Sequence, residues 1–147
     1  METDTLDKNI LNTLIENSRL SYRQIAKKLK VSVATVMHRV NRLEDVQVIR
    51  QFTTAIDYEK LGYDVTVLIE VRISKGKLIE IEKKVATHPN VVAVYDHTGP
   101  FDALILAKFK TRAQMDQFLK KLQAHDFVER TETMLVLNTV KEKQMLV

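Results

Sequence analysis

The spacing of apolar residues changes once along this chain, near Val48-Ile49, and that change constrains the fold more than any other feature. Before it, apolar residues recur every three to four positions, which is the spacing of amphipathic helices. After it, runs of β-branched or alternating apolar residues are separated by further helical stretches. In a chain of 147 residues, the change predicts a small helical N-terminal domain followed by a mixed domain of strands and helices.

The first 50 residues are predicted to form three short helices. Leu6, Ile10 and Leu14 give the first helix its apolar stripe, and either Asp4 or Thr5 occupies the expected N-cap position. The stripe predicts an amphipathic helix that packs one face against the rest of the domain and exposes the other.

The next two predicted helices are joined by a short turn at Lys30-Val31. Ser21 and Gln24 have the spacing of a capping box at the start of the second helix. Ser32 is the expected cap of a third helix that reaches about Asp45. Two short helices joined in this way are typical of a helix-turn-helix, whose second helix enters the major groove of DNA. A plain three-helix bundle would show similar stripes, so the pattern alone leaves both interpretations open.

Positive charge is concentrated in the same region. The whole chain carries 23 basic and 19 acidic residues, a formal net charge of +4. Residues 19–50 have eight basic and two acidic residues, a net of +6, whereas residues 1–18 have a net of −3 and residues 51–147 a net of +1. A local excess of Lys and Arg beside a helix-turn-helix pattern predicts a phosphate-binding surface, with a merely solvated helix surface as the alternative.

The rest of the chain is predicted to follow the order β-α-β-β-α-β, which is the ferredoxin-like arrangement. The predicted fold class is therefore α+β, with an N-terminal winged helix-turn-helix and a C-terminal ferredoxin-like domain. The predicted strands are Val65–Ile73, Val91–Asp96, Phe101–Lys110 and Val128–Lys141, and the predicted helices are Lys77–Thr87 and residues 112–124. We place the domains at residues 1–50 and 64–147, joined by a linker strand and hinge at residues 51–63.

Two helices cover only one face of a four-stranded sheet, so the other face is predicted to be open. The outward positions of the strands include Val and Leu as well as polar residues. An uncovered apolar sheet face in a small domain favours pairing with a second copy. We therefore expect a homodimer, and beyond it a higher oligomer of even number.

Composition excludes several other classes of protein. With no Cys and only three glycines, Gly62, Gly76 and Gly99, the chain has no thiolate site and no glycine-rich nucleotide-binding loop. No apolar run is long enough to cross a membrane, and the N-terminus lacks a secretory signal, so a cytoplasmic protein is expected. The four histidines lack metal-site spacing, and Asp96-His97 near Asp102 is the only cluster suggestive of acid–base chemistry. We expect no enzyme activity, no metal and no cofactor.

The order and spacing of several segments resemble the Lrp/AsnC, or feast/famine, family of regulators. The resemblance covers nearly the whole chain, and it rests on Leu6–Leu11, Asn17–Arg19, Ile25–Leu29, Val31-Ser32, Val36–Glu44, Val48-Ile49, Leu61-Gly62, Thr98–Asp102 and Arg130–Thr133. It implies a DNA-binding transcriptional regulator that binds double-stranded promoter DNA. It also implies a small effector, typically an amino acid, held between the effector domains of neighbouring subunits.

Three positions depart from the family pattern. Lys30 and Gln47 stand where the family usually has glycine, and a left-handed backbone at Lys30 would cost about 1 kcal/mol. The loop Thr98–Asp102 replaces the commoner Gly-Asp-Tyr-Asp, so the identity of the effector cannot be carried over.

The candidate DNA-binding residues lie in the two helices of the helix-turn-helix. The start of the third helix is expected to reach base edges, the arginines further along it to contact guanine or phosphate, and the start of the second helix to contact phosphates. In that order the candidates are Ser32, Ala34, Thr35 and His38; Arg39 and Arg42; and Ser21, Tyr22 and Arg23. Two alternatives stay open: Arg39 lies between apolar neighbours and could brace the helices, and His38 could be a solvated surface residue.

The candidate effector site is the loop between the second and third strands of the second domain. Gly99 permits close approach of the backbone, and Asp102 could receive an α-ammonium group. The candidates are His97, Thr98, Gly99, Pro100, Phe101 and Asp102, with Thr131 and Thr133 added by the resemblance. The alternative for this loop is that it is only a hairpin turn. The alternative for the whole chain is that it is a ferredoxin-like ligand-binding or scaffold oligomer without specific DNA binding.

Overall fold

A computed structural model describes residues 3–74 and 76–147 and divides them into two compact units. One unit contains the chain up to Ala55 together with Lys141–Val147, and the other contains Ile56–Val140. The division falls inside the predicted linker, residues 51–63. The last seven residues, which the sequence analysis placed in the second domain, pack with the first unit.

Three helices form the first unit, and each begins at a capping residue. Asp4, Ser21 and Ser32 accept the backbone N–H three residues further on, which satisfies donors that the first helical turn leaves open. The helices are α1 (Thr5–Glu16), α2 (Tyr22–Leu29) and α3 (Val33–Asp45).

Apolar side chains from all three helices make the core of this unit. Ile10, Ile25, Val36 and Val40 are fully buried in it. They come from the stripes of helical spacing in the sequence, so periodicity alone located this core correctly.

The predicted linker strand does not form. Residues 51–57 belong to no helix or strand, and a short 3-10 helix, Glu59–Leu61, follows them. Phe52 and Ile56, two of the alternating residues that suggested a strand, are about half exposed. Alternation favours an extended backbone, but a strand also needs a partner strand to pair with.

The second unit is a four-stranded antiparallel sheet with two helices on one face. Its strands are in the order β2-β3-β1-β4. The elements are β1 (Val65–Ile73), α4 (Leu78–Ala86), β2 (Val91–Asp96), β3 (Ala103–Phe109), α5 (Arg112–Gln123) and β4 (Val128–Leu135). The predicted β-α-β-β-α-β order is confirmed, although β4 ends at Leu135, six residues earlier than expected.

The register separates a buried sheet face from an open one. Val67, Ile69 and Val71 of β1 are fully buried with Ile105 of β3 and Phe118 of α5, so this face packs against the helices. The alternate residues of each strand point to the other face, which no element of the second unit covers. In the part of the chain that the structure describes, no helix combines the length and apolar character needed to cross a membrane.

Candidate nucleic-acid interface and effector site

The turn between α2 and α3 depends on a left-handed residue that is not glycine. Lys30 ends α2 with φ 57° and ψ 42°, and the N–H of Val31 then bonds the carbonyl of Ala26 at 3.0 Å. Gln47, just after α3, has a φ of 59°. Both residues stand where the family pattern has glycine, so this chain keeps the backbone shape and accepts the strain of a side chain there.

The outer side of the N-terminal half of α3 carries small and polar side chains beside two apolar ones, Val33 and Met37, which are 44% and 47% exposed. Ala34 and His38 are exposed, whereas Val36 and Val40 on the opposite side are fully buried. Thr35 is half-buried, and its hydroxyl lies 2.7 Å from that of Ser32. The base-reading candidates therefore share the outer surface at the start of α3, but two of them also complete the helix cap.

The three phosphate-contact candidates at the start of α2 have different surroundings. Ser21 is exposed, and it forms the capping box with Gln24, whose side chain accepts the N–H of Ser21 at 2.8 Å. Arg23 is exposed and directed to solvent. Tyr22 is half-buried against the core of the first unit, so its ring contributes to packing.

Arg39 and Arg42 are both paired with carboxylates of α1. Arg39 Nη1 lies 2.5 Å from Asp4 and 3.1 Å from Asp7, and Arg42 Nη2 donates to the second carboxylate oxygen of Asp7. Asp7 has no exposed surface at all. For Arg39 these contacts are those expected of a residue that braces the helices, and Arg42 makes contacts of the same kind.

Asp7 is the residue of this cluster that the sequence interpretation missed, although a signal was present. It precedes Ile10 and Leu14 by three and seven positions, so it lies on the apolar stripe of α1. A buried carboxylate requires a partner, and two arginines spaced three apart on a neighbouring helix could have been proposed.

The electrostatics of this cluster follow from its hydrogen bonds. The backbone N–H of Asp7 and the guanidinium of Arg39 lower the pKa of Asp4 below its usual value. In return, the carboxylates of Asp4 and Asp7 raise the pKa of Arg39. Both pKa shifts favour the charged forms of Asp4 and Arg39, so their mutual attraction stabilises the ion pair.

The loop at residues 97–102 is held to the end of β1 by backbone contacts. Asp102 Oδ2 accepts the N–H of Ile73 at 2.7 Å, and the N–H of Asp102 donates to Val71 O at 3.0 Å. Arg72 donates to the carbonyl of Pro100 at 2.6 Å. One carboxylate oxygen of Asp102 therefore already has a structural role in shaping the loop.

The side chains of the loop divide into an exposed tip and a buried base. Thr98, Gly99 and Pro100 are exposed. Phe101 is only 6% exposed, and the guanidinium of Arg130 lies 5.5 Å from its ring centre. His97 bonds the loop through its Nδ1, which lies 3.1 Å from the carbonyl of Thr98.

The two threonines of β4 lie at different distances from this loop. Thr131 is paired with Val71, level with the loop's anchor, and its hydroxyl accepts from Gln123 at 2.8 Å. Thr133 is paired with Ile69, two residues further along the sheet, and it lines a cleft of about 400 Å³ beside α5. Of the two threonines, Thr131 therefore lies at the end of the sheet that anchors the loop, whereas Thr133 lies beside α5.

Two family profiles match the chain, one for each predicted domain. Residues 3–50 match a winged helix-turn-helix DNA-binding domain, and residues 66–146 match the Lrp/AsnC ligand binding domain. Among the residues that the structure describes, no group of three or more His, Asp or Glu is arranged to hold a metal ion.

Relatives of similar length are transcriptional regulators. An uncharacterised HTH-type transcriptional regulator of Pyrococcus furiosus is 48% identical over 142 residues, which cover 97% of this chain and 96% of the relative. The HTH-type transcriptional regulator FL11 of the same organism is 32% identical over 95% of this chain and 92% of its own length.

Solved structures are similar along the whole chain. AsnC of Escherichia coli superposes with a TM-score of 0.91 at 26% identity, with full coverage of both chains. A transcriptional regulator of Neisseria meningitidis, solved in complex with L-Met, gives a TM-score of 0.88 at 26% identity and covers 97% of this chain and 94% of its own. The chain is therefore no enzyme: it belongs to the Lrp/AsnC family of helix-turn-helix transcriptional regulators.

Proposed function

We propose that this regulator acts in the cytoplasm as a homodimer, binds specific double-stranded DNA sites through the start of α3, and responds to an amino-acid effector. One observation carries the DNA-binding part of the proposal. The outer surface of α3 has exposed Ala34 and His38 at its N-terminal end, where the helix-turn-helix motif places base contacts.

The shape of this surface suits the major groove. The groove is about 12 Å wide, so a helix enters it only where its exposed side chains are short enough to let the backbone approach. Ala34 is small, and His38 and Thr35 provide hydrogen-bonding groups. Arg23 at the start of α2 is placed to contact a phosphate and to fix the position of the motif along the duplex.

Selection of bound fragments from random-sequence DNA, followed by gel shifts, tests this proposal. We expect an enriched sequence that the wild-type chain binds far more tightly than random duplex. His38→Ala combined with Ala34→Glu should remove that preference, while Arg23→Ala should weaken binding to all sequences alike. Lys8→Ala is the matched control for charge, because Lys8 is an exposed cation on α1, outside the motif. If no sequence is enriched, the chain is a scaffold without specific DNA binding.

The open face of the sheet supports the homodimer. At its centre, Leu68 and Leu106 are half-buried, while Tyr95 and Met134 are 57% and 39% exposed. An apolar sheet face of this kind is stabilised by packing against a second sheet. Leu106→Lys should therefore produce a monomer in sedimentation experiments. Ile79→Lys, which changes an exposed apolar residue of α4 instead, should leave the assembly unchanged, and further pairing of dimers would appear as larger species of even number.

The effector part of the proposal concerns the loop at residues 97–102, with Thr131 and Thr133 of β4 as further candidate contacts. Asp102 could receive the ammonium group, and the backbone at Gly99 is open, because a Cβ added there would meet nothing within 4 Å. The Neisseria relative solved with L-Met supports an amino acid as the class of ligand.

Isothermal titration with the twenty amino acids tests the effector directly. Gly99 has a φ of 137°, a conformation that favours glycine, so Gly99→Ala should distort the loop and lower the affinity. Gly62→Ala introduces the same kind of strain in a turn outside the loop and should leave the affinity unchanged. Absence of heat with every amino acid would contradict the effector proposal, and heat that Gly99→Ala does not alter would place the site elsewhere.

A further inference from the structure

We propose that Asp7 is a positioning residue for DNA recognition. From α1 it fixes the guanidinium groups of Arg39 and Arg42, so that these two arginines orient the recognition helix α3 instead of contacting phosphates. This inference rests on the proposed DNA-binding function, and it reassigns two of the residues that the sequence suggested as DNA contacts.

The geometry of the cluster divides one carboxylate between two arginines. Oδ1 of Asp7 accepts Arg39 Nη1 at 3.1 Å, Oδ2 accepts Arg42 Nη2, and Oδ2 also accepts the backbone N–H of Asp4 at 3.2 Å. Asp4 then holds Arg39 from a second side at 2.5 Å. Two turns of α3 are thereby tied to the first turn of α1.

The burial of Asp7 makes these ties strong. Its side chain has no exposed surface, whereas the side chains of Arg39 and Arg42 keep 26% and 38% of theirs. A carboxylate removed from water in this way depends on its cationic partners, because no solvent replaces them. Arg42 Nε is itself buried and has no hydrogen-bond partner among the described residues, so the position of this guanidinium is set by Asp7.

The position of the two arginines on α3 explains what the ties control. Arg39 lies beside the buried residues Val36 and Val40, and Arg42 lies two turns after Thr35 on the flank of the helix. Contacts on this flank restrict rotation of α3 about its own axis. Base contacts require the outer surface of α3 to face the groove within a narrow angle, so a brace on the flank favours sequence-specific binding.

Asp7→Asn tests the proposal, because it keeps the volume of the side chain and removes the charge. Gel shifts on folded protein would use two probes, a short duplex selected with the wild-type chain and a random-sequence duplex, over a series of salt concentrations. If the arginines are released, each new phosphate contact should steepen the plot of log K against log salt by about 0.9. Loss of helix orientation should also reduce the preference for the selected duplex about tenfold.

Glu16→Gln is the matched control. It changes the net charge equally and removes another α1 carboxylate, which pairs with Lys28 at 2.9 Å, but this pair is more than half exposed on both sides. We expect wild-type slope and preference for this variant. If Asp7→Asn retains either the wild-type slope or the wild-type preference, the proposal is wrong.

A second variant keeps the test decisive if Asp7→Asn does not fold. Arg42→Gln removes one of the two arginines, while Asp7 stays paired with Arg39 at 3.1 Å. If Arg42 only orients α3, this variant should lose preference for the selected duplex and keep the wild-type slope. A slope shallower by about 0.9 would show that Arg42 contacts a phosphate and would refute the proposal. A wild-type chain that shows no preference for any selected duplex would instead overturn the proposed function, so the two failures are distinguishable.

Discussion

Replacing Lys30 by glycine should stabilise the first unit. Lys30 is exposed, and its φ of 57° and ψ of 42° place it in the left-handed region. A residue with a Cβ is disfavoured there by about 1–2 kcal/mol, and glycine removes that penalty. Glycine also increases the entropy of the unfolded chain, which costs about 0.5–1 kcal/mol. The expected net gain for Lys30→Gly is therefore about 0.5–1 kcal/mol.

Two control variants isolate the backbone contribution. Lys30→Ala removes the same charge and keeps a Cβ, so it should change stability little. Lys27→Gly places glycine inside α2, where no left-handed residue is required, and should destabilise the unit by about 1 kcal/mol. The same logic predicts a smaller gain for Gln47→Gly, because Gln47 Nε2 donates to Glu44 O at 3.1 Å and that hydrogen bond would be lost.

Native-state hydrogen exchange on the full chain is the appropriate assay, because it reports the stability of each unit separately. Buried amides of α2 and α3, such as those of Ile25 and Val40, should exchange about two- to fivefold more slowly in Lys30→Gly than in Lys30→Ala. The amide of Ile69 in β1 belongs to the other unit and should not change. Equal exchange rates at Ile25 in Lys30→Gly and Lys30→Ala would refute the argument from backbone strain.

Three further predictions concern pH and stability in the second unit. Burial, together with the charge of Asp96, raises the pKa of Glu82, so ionisation of Glu82 destabilises the native state. Glu82→Gln should therefore raise the melting temperature at neutral pH. This gain should disappear as the pH falls below about 4.5, where Glu82 is protonated in the unfolded chain as well. On the same helix, Lys77 lowers the pKa of Glu80; Glu80→Gln should give a small change of the opposite sign at neutral pH, and the two melting curves should converge in acid. Burial lowers the pKa of His88 from 6.5, so the unfolded chain takes up a proton first as the pH falls. The wild type should therefore lose stability below about pH 6.5 more steeply than His88→Gln in denaturant titrations.

The elements that the sequence predicted best are those specified by neighbouring residues. Ser21 and Ser32 were identified as helix caps because the backbone N–H that each side chain accepts lies only three residues further along the chain. β2 was predicted with its observed bounds, Val91–Asp96, since an apolar run between turn residues specifies a strand locally.

What the sequence did not predict depends on contacts between distant residues. The side chain of Asn12 bonds the backbone of Val147 in both directions at 2.8 Å, across a separation of 135 residues. These bonds accompany the placement of Lys141–Val147 in the first unit. No local pattern in that segment indicates a partner on α1, and the segment was therefore assigned to the second domain.

The charges of the candidate DNA interface also depend on contacts between distant residues. The segments 1–18 and 19–50 carry net charges of −3 and +6, which suggest a basic surface beside an acidic one. In the structure, Asp4, Asp7 and Glu16 are instead the counterions of basic residues in the second segment. A sum over consecutive residues cannot detect this pairing, because it depends on how the helices pack.

This pairing sets the number of cations that the helix-turn-helix can offer to DNA. Arg39 and Arg42 are withheld by a fully buried carboxylate, whereas Lys28 is held only by an exposed pair, which salt or phosphate can replace. Five further cations of this region have no ion-pair partner in the described part of the chain: Arg19, Arg23, Lys27, Lys30 and Arg50. Counting Lys28, residues 19–50 should contribute a salt slope of at most about 5 per protomer, at about 0.9 per neutralised phosphate. A contribution near 7 from these residues, measured as the slope lost when their basic side chains are replaced, would require all eight cations on the DNA, including Arg39 and Arg42. It would show that the brace opens when the protein binds.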